Sequence, residues 1–344
     1  MLGELATLNS LSIRFTKFKA LLESPTVDLD MLRKLSWNGI PEEIRHLVWK
    51  LLMGYLPANS ARRDATLARK RSEYEDYVQQ TFGKGVETLD QGLYHQIHID
   101  VQRTNPSIPL YQHPRIQQAL ERVLYCWAIR RPASGYVQGI NDLLTPFFQV
   151  FLAASVTPNI RDVETMAVDA IPPAVLVEVE ADSFWCLGKL LDGIQDNYTA
   201  AQPGIQRQIT RLQELIHRID APLHAHLVAE NVQFLQFAFR WMNCLLMREI
   251  SLRRIIRMWD TYLAEGDLGF SEFHLYVCAA FLVKWSDRLR EMEFQEILMF
   301  LQSLPTAGWE EKDIELLLAE AFMWQSLFHD SPNHLTQSTT QPPN

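Results

Sequence analysis

Apolar residues recur at three- and four-residue spacing through most of the chain, which is the period of helices with one buried face. Asp28 and Asp30 precede Met31 to Leu35 as a capped helix start, after a short helix over 12–22. Trp37 to Pro41 reads as a turn. Pro41-Glu42-Glu43 opens a helix with Ile44, Val48, Leu51 and Leu52 on one face, its acids at the positive end of the helix dipole. A charged helix is expected from Ala65 to Gln79, then a flexible glycine-bearing loop over 81–92. The alternation of Ile97, Ile99 and Val101 is strand-like, but a strand with no neighbour of its kind has nothing to pair with. Tyr94 to Arg103 is therefore read as a short helix or extended segment. Pro106 and Pro109 predict an irregular loop from Thr104 to Pro114.

Arg115 to Arg130 is amphipathic, and Leu143 to Ala154 is apolar nearly all round, as a central buried helix would be. A variable connection is expected over 155–175, then helices from Glu178 to Asp192, along the Ile205-Ile209-Leu212-Ile216-Ile219 stripe, and as one long element from Val232 to Arg248. Leu252 to Tyr262, Phe273 to Trp285, Phe294 to Leu301 and Ile314 to Leu327 complete the set. Strand signals are almost absent and no fixed-period repeat is visible, so the expectation is an all-α protein of a dozen or more helices, not a solenoid. Residues 1–30 read as an N-terminal extension, 31–329 as one domain, and 330–344 as a polar, disordered tail.

Charge alters this picture in one respect. With 32 Lys and Arg against 41 Asp and Glu the chain carries −9, and no basic stripe marks a nucleic-acid binder. Such acidity favours a partner with a basic patch. Cys126, Cys186, Cys244 and Cys278 form no CxxC pair and sit in apolar helical stretches, as small buried hydrophobes do. There is no basic-then-apolar leader, and no apolar run reaches the ~20 residues of a membrane-spanning helix. A reduced cytosolic setting is expected.

Candidate chemistry concentrates in Ser134-Gly135-Tyr136-Val137-Gln138-Gly139-Ile140-Asn141-Asp142. Gly135 and Gly139 allow tight bends or close approach to another molecule, and between them the Gln138 carboxamide can point outward to orient a water or a phosphate oxygen. A cation lies upstream at Arg103. If Ile97-x-x-Asp100-x-x-Arg103 is helical, all three share a side, and Asp100 can fix the guanidinium by charge-assisted hydrogen bonds. Arg45 and Trp49, four apart, stack on one helix face. His217, His224 and His226 lack the spacing and the acid of a metal site. His98 and Asp100 have no nucleophile elbow to serve. The absence of GxxxxGK[ST] excludes a P-loop hydrolase.

These motifs, in order, resemble the TBC domain of GTPase-activating proteins for Rab-type GTPases. Arg45-x-x-x-Trp49, Ile97-x-x-Asp100-x-x-Arg103 and Tyr136-Val137-Gln138 look like its three signatures. Phe239-Arg240-Trp241 and Arg257-Met258-Trp259-Asp260 look like further landmarks. From Gly139 to Leu143 and from Leu190 to Tyr198 the wording is similar to the TBC domain family member 22 subgroup. The resemblance covers about residues 31–328 and implies two helical lobes flanking a groove that accepts a Rab. It implies that Arg103 is an arginine finger, worth about 10³–10⁵ in rate, and that Gln138 is a glutamine finger placing the attacking water. Asp100 would orient Arg103, Arg45 and Trp49 would stand behind it, and Tyr136 would pack against the GTPase or fill the groove. Gly139 completes the supporting set. GTP and Mg²⁺ would belong to the partner, leaving the activator with no cofactor or metal and no hydrolase activity of its own. Its place would be cytoplasmic, recruited peripherally to trafficking membranes such as the Golgi, with other trafficking or adaptor proteins as further partners. The alternative is a non-catalytic helical scaffold that binds a Rab or another trafficking protein. A lost finger would mark it, and both fingers are present.

Overall fold

Helix starts follow the capping residues. Asp28 accepts from the amides of Asp30 and Met31, Asp90 from Leu93, and Asp220 from Leu223, so each satisfies amides that have no partner within the helix. The computed structural model describes residues 13–156 and 160–328; the expected disordered tail and residues 1–12 of the N-terminal extension lie outside them. Helix α1 spans 13–22. It is followed by α2 (Leu29–Ser36), α3 (Glu42–Leu52), α4 (Arg63–Phe82), α5 (Gln91–Gln102), α6 (Pro109–Gln112), α7 (Pro114–Ile129), α8 (Ile140–Val156), α9 (Ile160–Thr165) and α10 (Pro173–Gly193). Then come α11 (Pro203–Ile219), α12 (Ala221–Ala229), α13 (Leu235–Asn243), α14 (Leu252–Ala264), α15 (His274–Val283), α16 (Ser286–Leu289), α17 (Phe294–Gln302) and α18 (Glu311–Phe328). No strand occurs among the described residues, and one isolated bridge joins Thr26 to Asn59.

Several boundaries depart from the sequence expectation. Of the two forms expected for Tyr94 to Arg103 the helix is the one found, ending at Gln102 with Arg103 as its cap. Pro109 and Pro114 do not break helices but start them, since a proline at the first helical position gives up only an amide that would be unpaired anyway. Pro173 likewise starts α10, five residues before the expected Glu178. The connections over 81–92 and 155–175 carry helix among their described residues: α4 runs to Phe82, α5 begins at Gln91, and α9 occupies part of the second. The long helix from Val232 to Arg248 is cut at Asn243, because Leu245 (φ 49°) and Leu246 (φ 61°) take left-handed conformations.

One group of helices gathers around α8 and α10, with α4, α5 and α7 against them; a second gathers around α15, with α11, α13 and α18. Helix α14 reaches across, touching α2, α3, α8 and α18. A single apolar core runs through both groups. At the crossing, Trp49 of α3 and Trp259 of α14 each meet Phe147 of α8 edge-on, at 5.8 and 5.3 Å between centroids. Helix α8 passes through Pro146, which cannot donate to the Asp142 carbonyl four residues back. The Thr145 hydroxyl donates to that oxygen instead, at 2.8 Å, so the central helix stays intact.

Candidate functional site

Arg103 caps the C-terminal end of α5, where the helix dipole favours a cation. Its Nη2 donates to Asp100 Oδ1 at 2.7 Å and its Nε to the Ile99 carbonyl at 3.3 Å. The side chain stays 63% exposed, whereas that of Asp100 is 5% exposed. Ile97, three residues earlier, is fully buried and anchors the turn. The other Asp100 oxygen accepts from the Tyr136 hydroxyl at 3.0 Å. Burial first, and then the Asp100 charge, push the Tyr136 pKa far above that of an ordinary phenol, so the hydroxyl remains a donor. Tyr136 is thus buried behind Asp100 and forms no part of the groove lining, in contrast to its expected place.

Gln138 sits on a backbone held from both sides. Its carbonyl accepts from Asn243 Nδ2 at 2.8 Å, and the next amide, of Gly139, donates to Asn141 Oδ1 at 3.0 Å. Gly139 has φ +111°, and a Cβ there would lie 2.5 Å from Asn243 Nδ2, so no other residue fits without displacing that clamp. The Gln138 side chain is exposed, and its carboxamide has no protein partner among the described residues. Asn141 ties the two segments together: its Nδ2 donates to Thr104 Oγ1 at 2.9 Å, and that hydroxyl donates to the Asp100 carbonyl at 2.9 Å.

Arg103 and Gln138 line one groove of about 870 Å³, closed on its other sides by segments 247–254 and 302–309. In its wall, Arg248 Nε donates to the buried Asp142 carboxylate at 2.9 Å. Burial lifts the Asp142 carboxyl above its usual range, with Arg248 acting against it. The structure therefore brings Asp100, Arg103, Tyr136, Gln138 and Gly139 together.

It sets Arg45 and Trp49 apart. Neither lines the groove. Arg45 Nε (3.1 Å) and Trp49 Nε1 (2.7 Å) both donate to Asp260 Oδ1, and the Ile40 amide donates to Oδ2. The expected support behind the finger is thus a fastening of α3 to α14, with Asp260 fully buried at its centre and its carboxyl raised by burial. Thr104, Asn141, Asn243, Arg248 and Asp260 were not singled out as site residues from sequence. The signal for Asn141 is its place in the glycine stretch, and for Asn243 its isolation as a polar residue between Trp241 and Leu246.

Among the described residues no three His, Cys, Asp or Glu side chains converge as a metal set, and no helix is long and apolar enough to cross a membrane. All four cysteines are buried and free. His217 and His224 meet ring to ring at 4.8 Å, while His226 Nε2 faces the Met292 carbonyl.

Residues 42–289 match the family described as Rab-GTPase-TBC domain. The chain is 59% identical over 334 residues to the GTPase-activating protein gyp1 of Schizosaccharomyces pombe, covering 96% of this chain and 65% of that protein. It is 56% identical over 322 residues to human TBC1 domain family member 22B, covering 93% and 63% respectively. The chain thus spans just under two thirds of the length of these relatives. The crystal structure of the Ypt/Rab-GAP domain of Gyp1p superimposes with a TM-score of 0.86 at 54% identity, over 92% of this chain and 98% of that one.

Proposed function

The chain belongs to the Rab-GTPase-TBC domain family, and on that premise we propose that it accelerates GTP hydrolysis by a Rab-family GTPase, lending Arg103 and Gln138 to the partner's active site. The domain that acts is taken as residues 31–329. The observation that carries this reading is the pairing of two exposed side chains in one groove, a guanidinium held by Asp100 and a carboxamide on a backbone that Asn243 and Asn141 hold in place. GTP hydrolysis spreads charge over the transferring phosphoryl oxygens, and a guanidinium brought from outside neutralises it; a carboxamide fixes the attacking water in line. Both groups act on charge and geometry that exist only in the transition state. Asp100 and Tyr136 aim the guanidinium, Gly139 shapes the loop of the carboxamide, and Arg45 and Trp49 steady the framework.

GTP and Mg²⁺ come with the GTPase, and the activator needs no cofactor. Its action falls on the cytoplasmic side of trafficking membranes, the Golgi among them, with recruitment by trafficking or adaptor proteins. The test is phosphate release from a panel of GTP-loaded Rabs with and without the protein. Stimulation of at least one is expected, and silence across the panel overturns the reading.

A further inference from the structure

Three arginines share an arrangement that the catalytic reading leaves unused. The side chains of Arg248, Arg253 and Arg240 are 41%, 38% and 35% exposed, while their partners Asp142, Glu164 and Glu249 are 9%, 11% and 1% exposed. Each carboxylate lies inside and each guanidinium outside. Arg254 adds a fourth cation: its Nε donates to the Trp309 carbonyl at 3.1 Å, and it has no carboxylate partner among the described residues. Arg248, Arg253 and Arg254 line the groove of Arg103 and Gln138, and Arg240 reaches its rim through the Gln302 carbonyl.

Stability alone does not account for this layering. Buried ion pairs are often replaceable by apolar residues at no loss, because taking a carboxylate out of water offsets what the pair gains. One of the acids is anchored from behind as well: Glu164 accepts from Gln149 Nε2 at 3.0 Å, and Gln149 is fully buried. Arg248 lines the groove and bonds Asp142 through Nε, so that bond does not use its Nη groups. The turn that carries Arg248 and Glu249 there contains two consecutive left-handed leucines, Leu245 and Leu246, both fully buried. Such non-glycine conformations are strained and persist where the surroundings impose them. The outward sign is also opposite to the −9 of the whole chain.

We propose that Arg248, Arg253 and Arg254 form a docking strip for a carboxylate-bearing stretch of the GTPase surface beside its nucleotide site, and that this strip selects among GTPases. The inference rests on the activator reading above. Exposed charge pairs of this kind act on encounter and affinity, are screened by salt, and leave the chemical step to Arg103 and Gln138.

The test uses the full 344-residue chain and a Rab that it stimulates, with kcat and KM followed from low to high salt. R253Q/R254Q is expected to raise KM about tenfold, flatten its salt dependence and keep kcat within about twofold. R253K/R254K, which keeps the charges, should recover most of the loss. R103A should do the reverse, lowering kcat and leaving the salt dependence. Wild-type KM and salt dependence in a folded R253Q/R254Q overturn the strip; if that variant does not fold, R248Q is read in the same way. If wild type stimulates no Rab, the activator reading falls first. The strip is then decided by direct binding to the GTP-loaded panel: salt-sensitive binding weakened by the substitutions supports it, and absence of binding overturns it.

Discussion

The Tyr136 hydroxyl stands 3.0 Å from Asp100 Oδ2, while Oδ1 of the same carboxylate holds Arg103 Nη2 at 2.7 Å. A phenol, an acid and a guanidinium therefore form one line from core to groove. Tyr136→Phe removes the donor and keeps the ring, so about 1 kcal/mol of stability should go with it. The Arg103 guanidinium would then be less firmly aimed, and stimulated kcat should fall several-fold with KM little changed. Asp100→Asn should cost more than Tyr136→Phe. Stopped-flow phosphate release checks both, and unchanged kcat in a folded Asp100→Asn variant would refute the line.

Arg103→Ala and Gln138→Ala remove exposed side chains, so melting temperatures should stay near wild type. Stimulated turnover should fall by more than tenfold for each, and by about 10³ or more for the arginine. Binding to a GTP-loaded partner should survive. Equal turnover by either variant and wild type contradicts the two-finger reading.

Gly139→Ala tests the clamp on the Gln138 backbone. A Cβ at φ +111° and 2.5 Å from Asn243 Nδ2 must displace that side chain or the loop. The expected loss is about 1–3 kcal/mol in stability, together with a kcat effect that Asn243→Ala reproduces. Combining the two should give less than the sum, since both break the same contact.

Asp260 gathers Arg45, Trp49 and the Ile40 amide with no exposure of its own. Asp260→Ala strands the Arg45 guanidinium in a buried place, and about 3–5 kcal/mol should be lost. The urea midpoint reports it, and a loss below about 1 kcal/mol would show that the hub is dispensable.

His46 and His274 carry pKa values lowered from 6.5 to about 4, in both cases chiefly by burial. Folded, each binds a proton less readily than in the open chain. Their contribution is therefore complete above pH 6.5 and is lost as pH falls toward 4. Buried acids such as Asp142 and Asp260, raised by burial, act in the opposite sense. The clean readout is thus a difference: from pH 7 to 4.5 wild type should lose stability relative to His46→Gln. Parallel curves for the two would remove His46 from the account.

The helical period exposed most elements because one face of each is buried against a shared core. It failed where the backbone defies side-chain pattern. Leu245 and Leu246 look like the continuation of an apolar helix, yet tertiary packing holds them left-handed and turns the chain. Pro109 counts as a breaker in the sequence reading and Pro114 as the end of a loop, though the fixed φ of each suits a first helical turn. The Asp100–Arg103 contact was legible because its spacing is local, and Gln138 stood out by the glycines on either side of it. Asn243 reaches the Gln138 carbonyl across 105 positions, and Asp260 reaches Arg45 across 215. No window along the sequence contains such contacts.

Asn141 holds the glutamine-bearing loop with one end of its amide and, through Thr104, the arginine-bearing helix end with the other. The relative offset of the two groups is thereby set when the chain folds, and the freedom lost in aligning them is lost then rather than at encounter. On the proposed activator reading, a visiting nucleotide meets a gauge already cut to length, and a cut even slightly wrong cannot be adjusted by one jaw alone.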